Sequence, residues 1–301
     1  MTSLQLFLQQ LANGFTLGAI YALIALGYTM IYGVIQLINF AHGEIFIVGA
    51  YIALSLVLAL GGGFPWAVVV VIMGVGAMAV SAWLGLGVER FAYRPIRRAP
   101  RLNALITAIG MSFLLQNVLM VFYGPNDRRF PNPIPLMRWD IGGVSITLMQ
   151  VVAWVMSGAL MLSLQALVMR TKLGMAMRAT SQDLNACALL GIPVDRIIAI
   201  TFAIGSMFAA MGGMLFGLHY GTINFHDGYM VGLKAFTAAV LGGIGNIPGA
   251  MLGGLALGLL EGLGAGYLSS QWKNVFAFVI LIALLLFKPT GLLGERVTDR
   301  A

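Results

Sequence analysis

Unbroken apolar runs, not the alternation of a half-buried fold, dominate this chain. The clearest cover residues 11–34, 45–60, 64–88, 104–123, 148–168, 197–217, 249–268 and 275–287, and a shorter one covers 235–244. Most approach the roughly 20 residues that a helix needs to cross the hydrocarbon of a bilayer. Lipid offers no partner to the backbone, so a spanning segment must satisfy its own amides, and a helix does so within one segment. The pattern predicts an all-α polytopic transmembrane helix bundle of about eight or nine spans. No Ser/Pro-rich linker divides the runs, so residues 1–301 are expected to form a single transmembrane domain.

Composition agrees with that class and excludes others. Hydrophobic residues make up 60% of the chain, charged residues 9%, and the mean hydropathy is +0.94. A soluble domain carries roughly 25% charged residues. The single cysteine, Cys187, leaves no internal disulfide framework and no cysteine metal cage. Residues 1–10 hold no Lys or Arg, so the basic start of a cleaved signal peptide is missing and the first apolar run is expected to be retained. The net charge of +7 raises nucleic acid as a partner. Its placement in short loops between apolar runs answers better to membrane lipid and to the positive-inside rule, with no nucleic acid involved.

Those loops orient the bundle. Segment 89–103 carries Arg90, Arg94, Arg97, Arg98 and Arg101 against Glu89 alone; segment 169–196 carries Arg170, Lys172, Arg178 and Arg196; the tail carries Lys288, Arg296 and Arg300. All three are expected on the cytoplasmic side. Segment 124–147, with Arg128, Arg129, Arg138 and four prolines, opposes them, and 218–233 has no Lys or Arg. An even number of crossings must then separate 169–196 from the tail. The short run 235–244 has to be one of them, turning at the glycine-rich stretch Gly242, Gly243, Gly245, Asn246 and Gly249. Irregular backbone at membrane depth survives where protein or a water-filled cavity satisfies it. The first half offers a counterpart, in which the run 11–34 breaks at Asn39–Glu44 before two further spans and a basic loop. Paired interruptions in two halves point to a transport pathway, and a two-half repeat is expected here.

Chemistry-bearing residues are few. Asn39, His42 and Glu44 sit in apolar surroundings, where an ionised side chain costs at least ~2.5–3.5 kcal/mol to insert. They read either as a polar lining or gate of a translocation path, or as a hydrogen-bonded clasp fixing the helix break. Gly242, Gly243, Gly245 and Asn246 join them as candidate path or gate residues. Glu261, between glycines, reads as a packing residue. Glycines four apart (Gly14 and Gly18; Gly245, Gly249 and Gly253; Gly254, Gly258, Gly262 and Gly266) stack on one helix face and let backbones approach, by default within the chain and alternatively at a subunit interface. No G-x-x-x-x-G-K-[ST] occurs, so the chain has no P-loop for hydrolysing ATP, and no catalytic set stands out. His219, His226 and Asp227 make a weak metal signal; no metal or cofactor is expected.

In the loop 169–196, residues Asp183 to Leu190 suit a short helix with Ala186, Leu189 and Leu190 on an apolar face, stopped by Gly191 and Pro193. Such a helix at the cytoplasmic surface fits a partner's groove, or is an ordinary amphipathic connector.

The stretch Leu17-Gly18-Ala-Ile-Tyr21-Ala22-Leu23-Ile-Ala25-Leu26-Gly27-Tyr28-Thr29-Met30-Ile-Tyr32-Gly33 with Asn39-Phe40-Ala41-His42-Gly43-Glu44 resembles the permeases of branched-chain amino-acid ABC importers, the LivH-type subunit more than its LivM-type partner. The resemblance continues through Arg178-Ala179 to Gly191-Ile192, through Gly242-Gly243-Ile244-Gly245, and to Lys288-Pro289-Thr290-Gly291-Leu292. It implies a bacterial inner-membrane permease that is not itself an enzyme. It implies a coupling loop at 178–192, in which Arg178, Ala179, Asp183, Ala186, Leu189, Leu190 and Gly191 contact the ATPase. The partners it implies are a second homologous permease, two cytoplasmic ATPase subunits and a periplasmic or extracellular substrate-binding protein. Similar permeases import urea, short-chain amides or other amino acids, and the motifs do not separate these. From the residues alone, a self-sufficient proton-coupled secondary transporter using His42 and Glu44 is the rival class.

Overall fold

Each predicted run folds as a helix in the computed structural model, which describes residues 2–97, 99–267, 272–288 and 290–294. Arg98, Pro289, Arg296 and Arg300, named above, and position 268, the end of the run 249–268, lie outside the described residues. In chain order the helices are α1 (Ser3–Ile35), α2 (His42–Leu60), α3 (Trp66–Val88), α4 (Arg101–Tyr123), α5 (Leu148–Arg170), α6 (Lys172–Gln182), α7 (Leu184–Leu189), α8 (Val194–Tyr220), α9 (Asp227–Gly242), α10 (Ile247–Tyr267) and α11 (Lys273–Phe287). Among the described residues, α1, α2, α3, α4, α5, α8 and α10 are long and apolar enough to cross a membrane. The protein is an all-α, multi-pass membrane bundle. The shorter α9 and α11, of 16 and 15 residues, complete it.

Charge and length decide the order of legs. α3 runs on through a π-turn, Glu89–Tyr93, and a 3-10 turn, Arg94–Ile96. There Arg94 and Arg97 both pair with Asp195 at the start of α8, and Arg97 also pairs with Glu89. The ends of α1 and α5, together with α6 and the start of α10, share a cavity at this same basic end. From it α8 departs, α9 returns, α10 departs and α11 comes back. Residues 290–294 then dock on the α9–α10 turn, with Leu292 N donating to Leu241 O at 2.8 Å and Leu293 N to Gly242 O at 3.0 Å. The N-terminus sits at the opposite end, where Gln5 Nε2 donates to Gly142 O at 3.3 Å and Gln9 bonds the Ser145 backbone. That end carries four short strands that the apolar pattern did not predict. β1 (Arg128–Arg129) pairs antiparallel with β4 (Thr222–Ile223), and β2 (Arg138–Ile141) with β3 (Val144–Thr147).

Burial separates centre from rim. Over an 18-residue apolar stretch of each helix, α1 is 83% buried and α8 72%, against 22% for α4 and 28% for α5. So α1 and α8 form the core, while α4 and α5 present apolar faces outward. Between helices in lipid the hydrophobic effect contributes little, and close van der Waals packing has to hold them. The glycine ridges supply it within the chain. One face of α10 lays Gly254, Gly258 and Gly262 against Ala22, Gly18 and Gly14 of an antiparallel α1. The neighbouring face sets Gly249 and Gly253 against Gly242 and Ala238 of α9. One helix thus joins two neighbours at backbone distance.

Candidate functional site

The break between α1 and α2 begins where Gln36 takes a left-handed conformation, φ 53°. The chain then passes 36–41 without helix and re-enters at His42, whose N–H donates to Asn39 O at 3.1 Å. Asn39, His42 and Glu44 are each at most 1% exposed, and each meets a different helix. The Asn39 side-chain oxygen accepts from the hydroxyl of Tyr93, in the π-turn, at 3.0 Å, and the same hydroxyl reaches Ile38 O at 3.3 Å. The His42 ring packs edge-on against Tyr28 at 4.6 Å. It fits because position 27 is glycine, where a Cβ would run into the imidazole. Glu44 Oε1 accepts from Ser112 Oγ of α4 at 3.1 Å, and Oε2 has no hydrogen-bond partner. The start of α2 approaches α9 closely, with Gly43 against Gly228 and Gly232. Asn39 is held as a clasp would be held. Glu44 keeps unused acceptor capacity.

The second candidate group, Gly242, Gly243, Gly245 and Asn246, forms the turn between α9 and α10 at the basic end. Gly243 and Gly245 adopt φ of 101° and 95°, open to glycine and strained for any other residue. Asn246 fastens both sides of the turn. Its Oδ1 accepts from Gly249 N at 2.9 Å, and its Nδ2 donates to Leu293 O at 2.9 Å. This group does not meet His42 or Glu44. Gly245 and Asn246 line instead, with Arg178, Ser181 and Gln36, a cavity of about 470 Å³.

The loop 169–196 holds two helices where the sequence predicted one. The unpredicted α6 is capped by Thr171, whose hydroxyl accepts from Gly174 N at 3.1 Å, and it buries Gly174, Met177 and Thr180. Arg178 Nη1 donates to Val168 O at 2.7 Å, near the end of α5. The Ala179 carbonyl accepts from Asp183 N at 3.3 Å. Asp183 then caps α7, its Oδ1 accepting from Asn185 N at 2.8 Å and Ala186 N at 3.0 Å, the arrangement that satisfies a helix's first amides. Gly191, at φ 78°, closes α7. Cys187 points inward; Ala186 points outward, and Leu189 and Leu190 are 89% and 79% exposed.

One functional-looking group escaped the sequence reading. Glu261, expected to pack, is ion-paired: Lys234 Nζ lies 2.9 Å from its Oε1, and Tyr21 OH donates to its Oε2 at 2.9 Å. The pair sits inside the span with Lys234 6% and Glu261 2% exposed, joining α9, α10 and α1. A lone Lys immediately before the short apolar run was the available signal, since a buried cation requires a partner. No group of three or more His, Cys, Asp or Glu placed to hold a metal occurs among the described residues.

The family model described as "Branched-chain amino acid transport system / permease component" matches residues 10–285. The chain is 48% identical to the high-affinity branched-chain amino acid transport system permease protein LivH of Escherichia coli (strain K12), over 98% of this chain and 97% of that one. To BraD of Pseudomonas aeruginosa, a permease protein of the same description, it is 46% identical over 98% of each. To the probable branched-chain amino acid transport permease protein LivH of Methanocaldococcus jannaschii it is 28% identical, over 90% of this chain and 88% of that one.

Proposed function

The chain belongs to the branched-chain amino acid transport system permease family, and on that premise we propose that it is the membrane path of an ATP-driven, binding-protein-dependent importer for branched-chain amino acids. Similarity to LivH and BraD, 48% and 46% identical over nearly the whole length of each chain, carries the reading. All of residues 1–301 act as one permease domain of the bacterial inner membrane, with the basic end in the cytoplasm.

The chain has no P-loop, so energy has to arrive through a contact. Leu189 and Leu190 offer one: two nearly bare leucines on a capped, glycine-stopped helix among charged neighbours. Exposed apolar patches rimmed by polar residues mark interaction sites. An ATPase subunit receives α7 there. Behind α7 lie α6 and its Arg178, which shares a cavity with the α9–α10 turn, so movement at α7 has a short route to that turn and supports alternating access. A second permease covers the bare faces of α4 and α5, and the binding protein docks on the opposite end, built by 124–147 and 221–226.

The test is a charge on α7. Ala186→Glu or Leu189→Glu would bury an unpaired carboxylate at the contact, at a cost of several kcal/mol, or orders of magnitude in association. The variants are expected to insert normally, lose the co-purifying ATPase and lose ATP-dependent leucine uptake. Retained association and uptake would remove α7 from the docking site. Proton-driven uptake by vesicles lacking any ATPase would favour a secondary transporter and overturn the importer.

A further inference from the structure

The outer face of the bundle carries a groove of about 740 Å³ between α4 and the start of α9. Phe40, Ile109, Phe113 and Leu233 make its walls apolar. Polar groups interrupt them on one line: Ser112 and Gln116, four residues apart on one face of α4, and His226 just before α9. The Gln116 amide nitrogen lies 3.0 Å from His226 Nδ1. The Ser112 hydroxyl donates a hydrogen bond to Glu44, which stands behind it, 1% exposed and with Oε2 unpartnered.

A lipid-facing surface does not explain this line. Ionisable groups at membrane depth are paired or face a wet cavity. Lys234 and Glu261 meet that rule by pairing. Glu44 has no cation within ion-pair distance among the described residues. A buried carboxyl group with a free acceptor oxygen, set behind an apolar groove, suits a ligand with one positive end and a hydrocarbon body.

We propose that this groove is the chain's wall of the substrate route, and that Ser112, backed by Glu44, receives the α-ammonium of an amino acid whose aliphatic side chain lies on the groove's apolar wall. The assignment rests on the importer reading above. Ser112 spends its hydrogen on the carboxylate, which leaves its oxygen lone pairs for an N–H donor, and the charge behind it strengthens that acceptor. One helical turn along α4, about 6 Å, the amide of Gln116 donates to His226 Nδ1. That contact selects the tautomer with its hydrogen on Nε2, a donor for the substrate carboxylate. One zwitterion therefore meets an acceptor and a donor a turn apart, with its side chain against Phe113 and Ile109.

The assembled complex, in nanodiscs, supplies the test. Ser112→Cys is treated with a cationic (aminoethyl) and an anionic (sulfonatoethyl) methanethiosulfonate, in the nucleotide-free and the vanadate-trapped states, and modification of residue 112 is read by mass spectrometry. The expected result is labelling in at least one state, with the cation at least about tenfold faster than the anion, as a carboxylate a hydrogen bond away dictates. Glu44→Gln is expected to erase the preference. Labelling in neither state would assign the groove to lipid or to a subunit contact and overturn the proposal, as would equal rates that ignore Glu44. Transport forms the second arm: Ser112→Ala is expected to raise the leucine KM at least about tenfold, the loss of a hydrogen bond to a charged group, with ATPase co-purification intact. An unchanged KM overturns the groove while leaving the importer standing. Absence of leucine uptake by the wild-type complex overturns the importer, and the labelling still decides the groove.

Discussion

Replacing Gly18 by alanine tests whether glycine contact holds the centre of this protein together. A Cβ at position 18 would lie 2.8 Å from Leu255 Cα, 2.9 Å from Leu255 O and 3.1 Å from Gly254 O. All three are backbone atoms of α10, so no side chain can swing aside. Carbon atoms sit at about 3.5–4.0 Å, so α1 and α10 must part by roughly 1 Å, and a gap of that size forfeits a quarter to a half of the dispersion well at every atom pair along the seam. Overpacking of this kind costs about 1–3 kcal/mol. Alanine returns up to about 1 kcal/mol of helix propensity, and in lipid no hydrophobic term makes up the rest. The expected net is a destabilisation of about 1–2 kcal/mol, read as a lowered unfolding midpoint of the purified complex in detergent. Gly110→Ala is the control, because a Cβ there meets nothing within 4 Å; it should leave the midpoint unchanged or raise it. If Gly18→Ala behaved as Gly110→Ala does, the seam would not be the close contact described here.

Lys234→Met should strand Glu261 and destabilise the protein by about 3–5 kcal/mol, while the double variant with Glu261→Met recovers most of the loss; thermal unfolding of the four proteins measures the coupling. Gly243→Leu puts a side chain at φ 101°, 2.6 Å from Gly294 Cα. It should reach the membrane at normal level yet import leucine poorly, and normal uptake would make the turn a passive connector. Reporter fusions placed before Thr2 and after Gly294 should label opposite faces of the membrane; labelling of one face would refute the leg order that counts α9 as a crossing.

The eight clear apolar runs made eight helices legible, α1 to α5, α8, α10 and α11, because a membrane span announces itself by composition alone. The extent of α9 was less visible, since Asp227 and Lys234 interrupt its apolar pattern and its polar start resembles a loop. α6 was hidden for another reason: its buried positions, Gly174, Met177 and Thr180, follow helical spacing but include only one large apolar residue. At the candidate site, Asn39, His42 and Glu44 stood out as polar residues in an apolar setting. Their partners Tyr93 and Ser112 did not, because they lie 54 and 68 residues further on and resemble any other aromatic or serine in a span. A separation of 27 residues hid the Lys234–Glu261 pair in the same way, although Glu261 stood out alone.

The seam between α1 and α10 sets an order of events during synthesis. Tyr21 and Glu261, which meet across it, are 240 residues apart. At about 5–20 residues per second, α1 waits on the order of ten to fifty seconds for its neighbour to be made. Throughout that interval a helix destined for the core lies in lipid with Gly14 and Gly18 bare and the Tyr21 hydroxyl unbonded. A ribosome that stalls before α10 would therefore leave an incomplete bundle whose first helix is its most conspicuous signal to membrane quality control. The last spans to emerge would then act as the checkpoint that releases the chain for assembly with its partners.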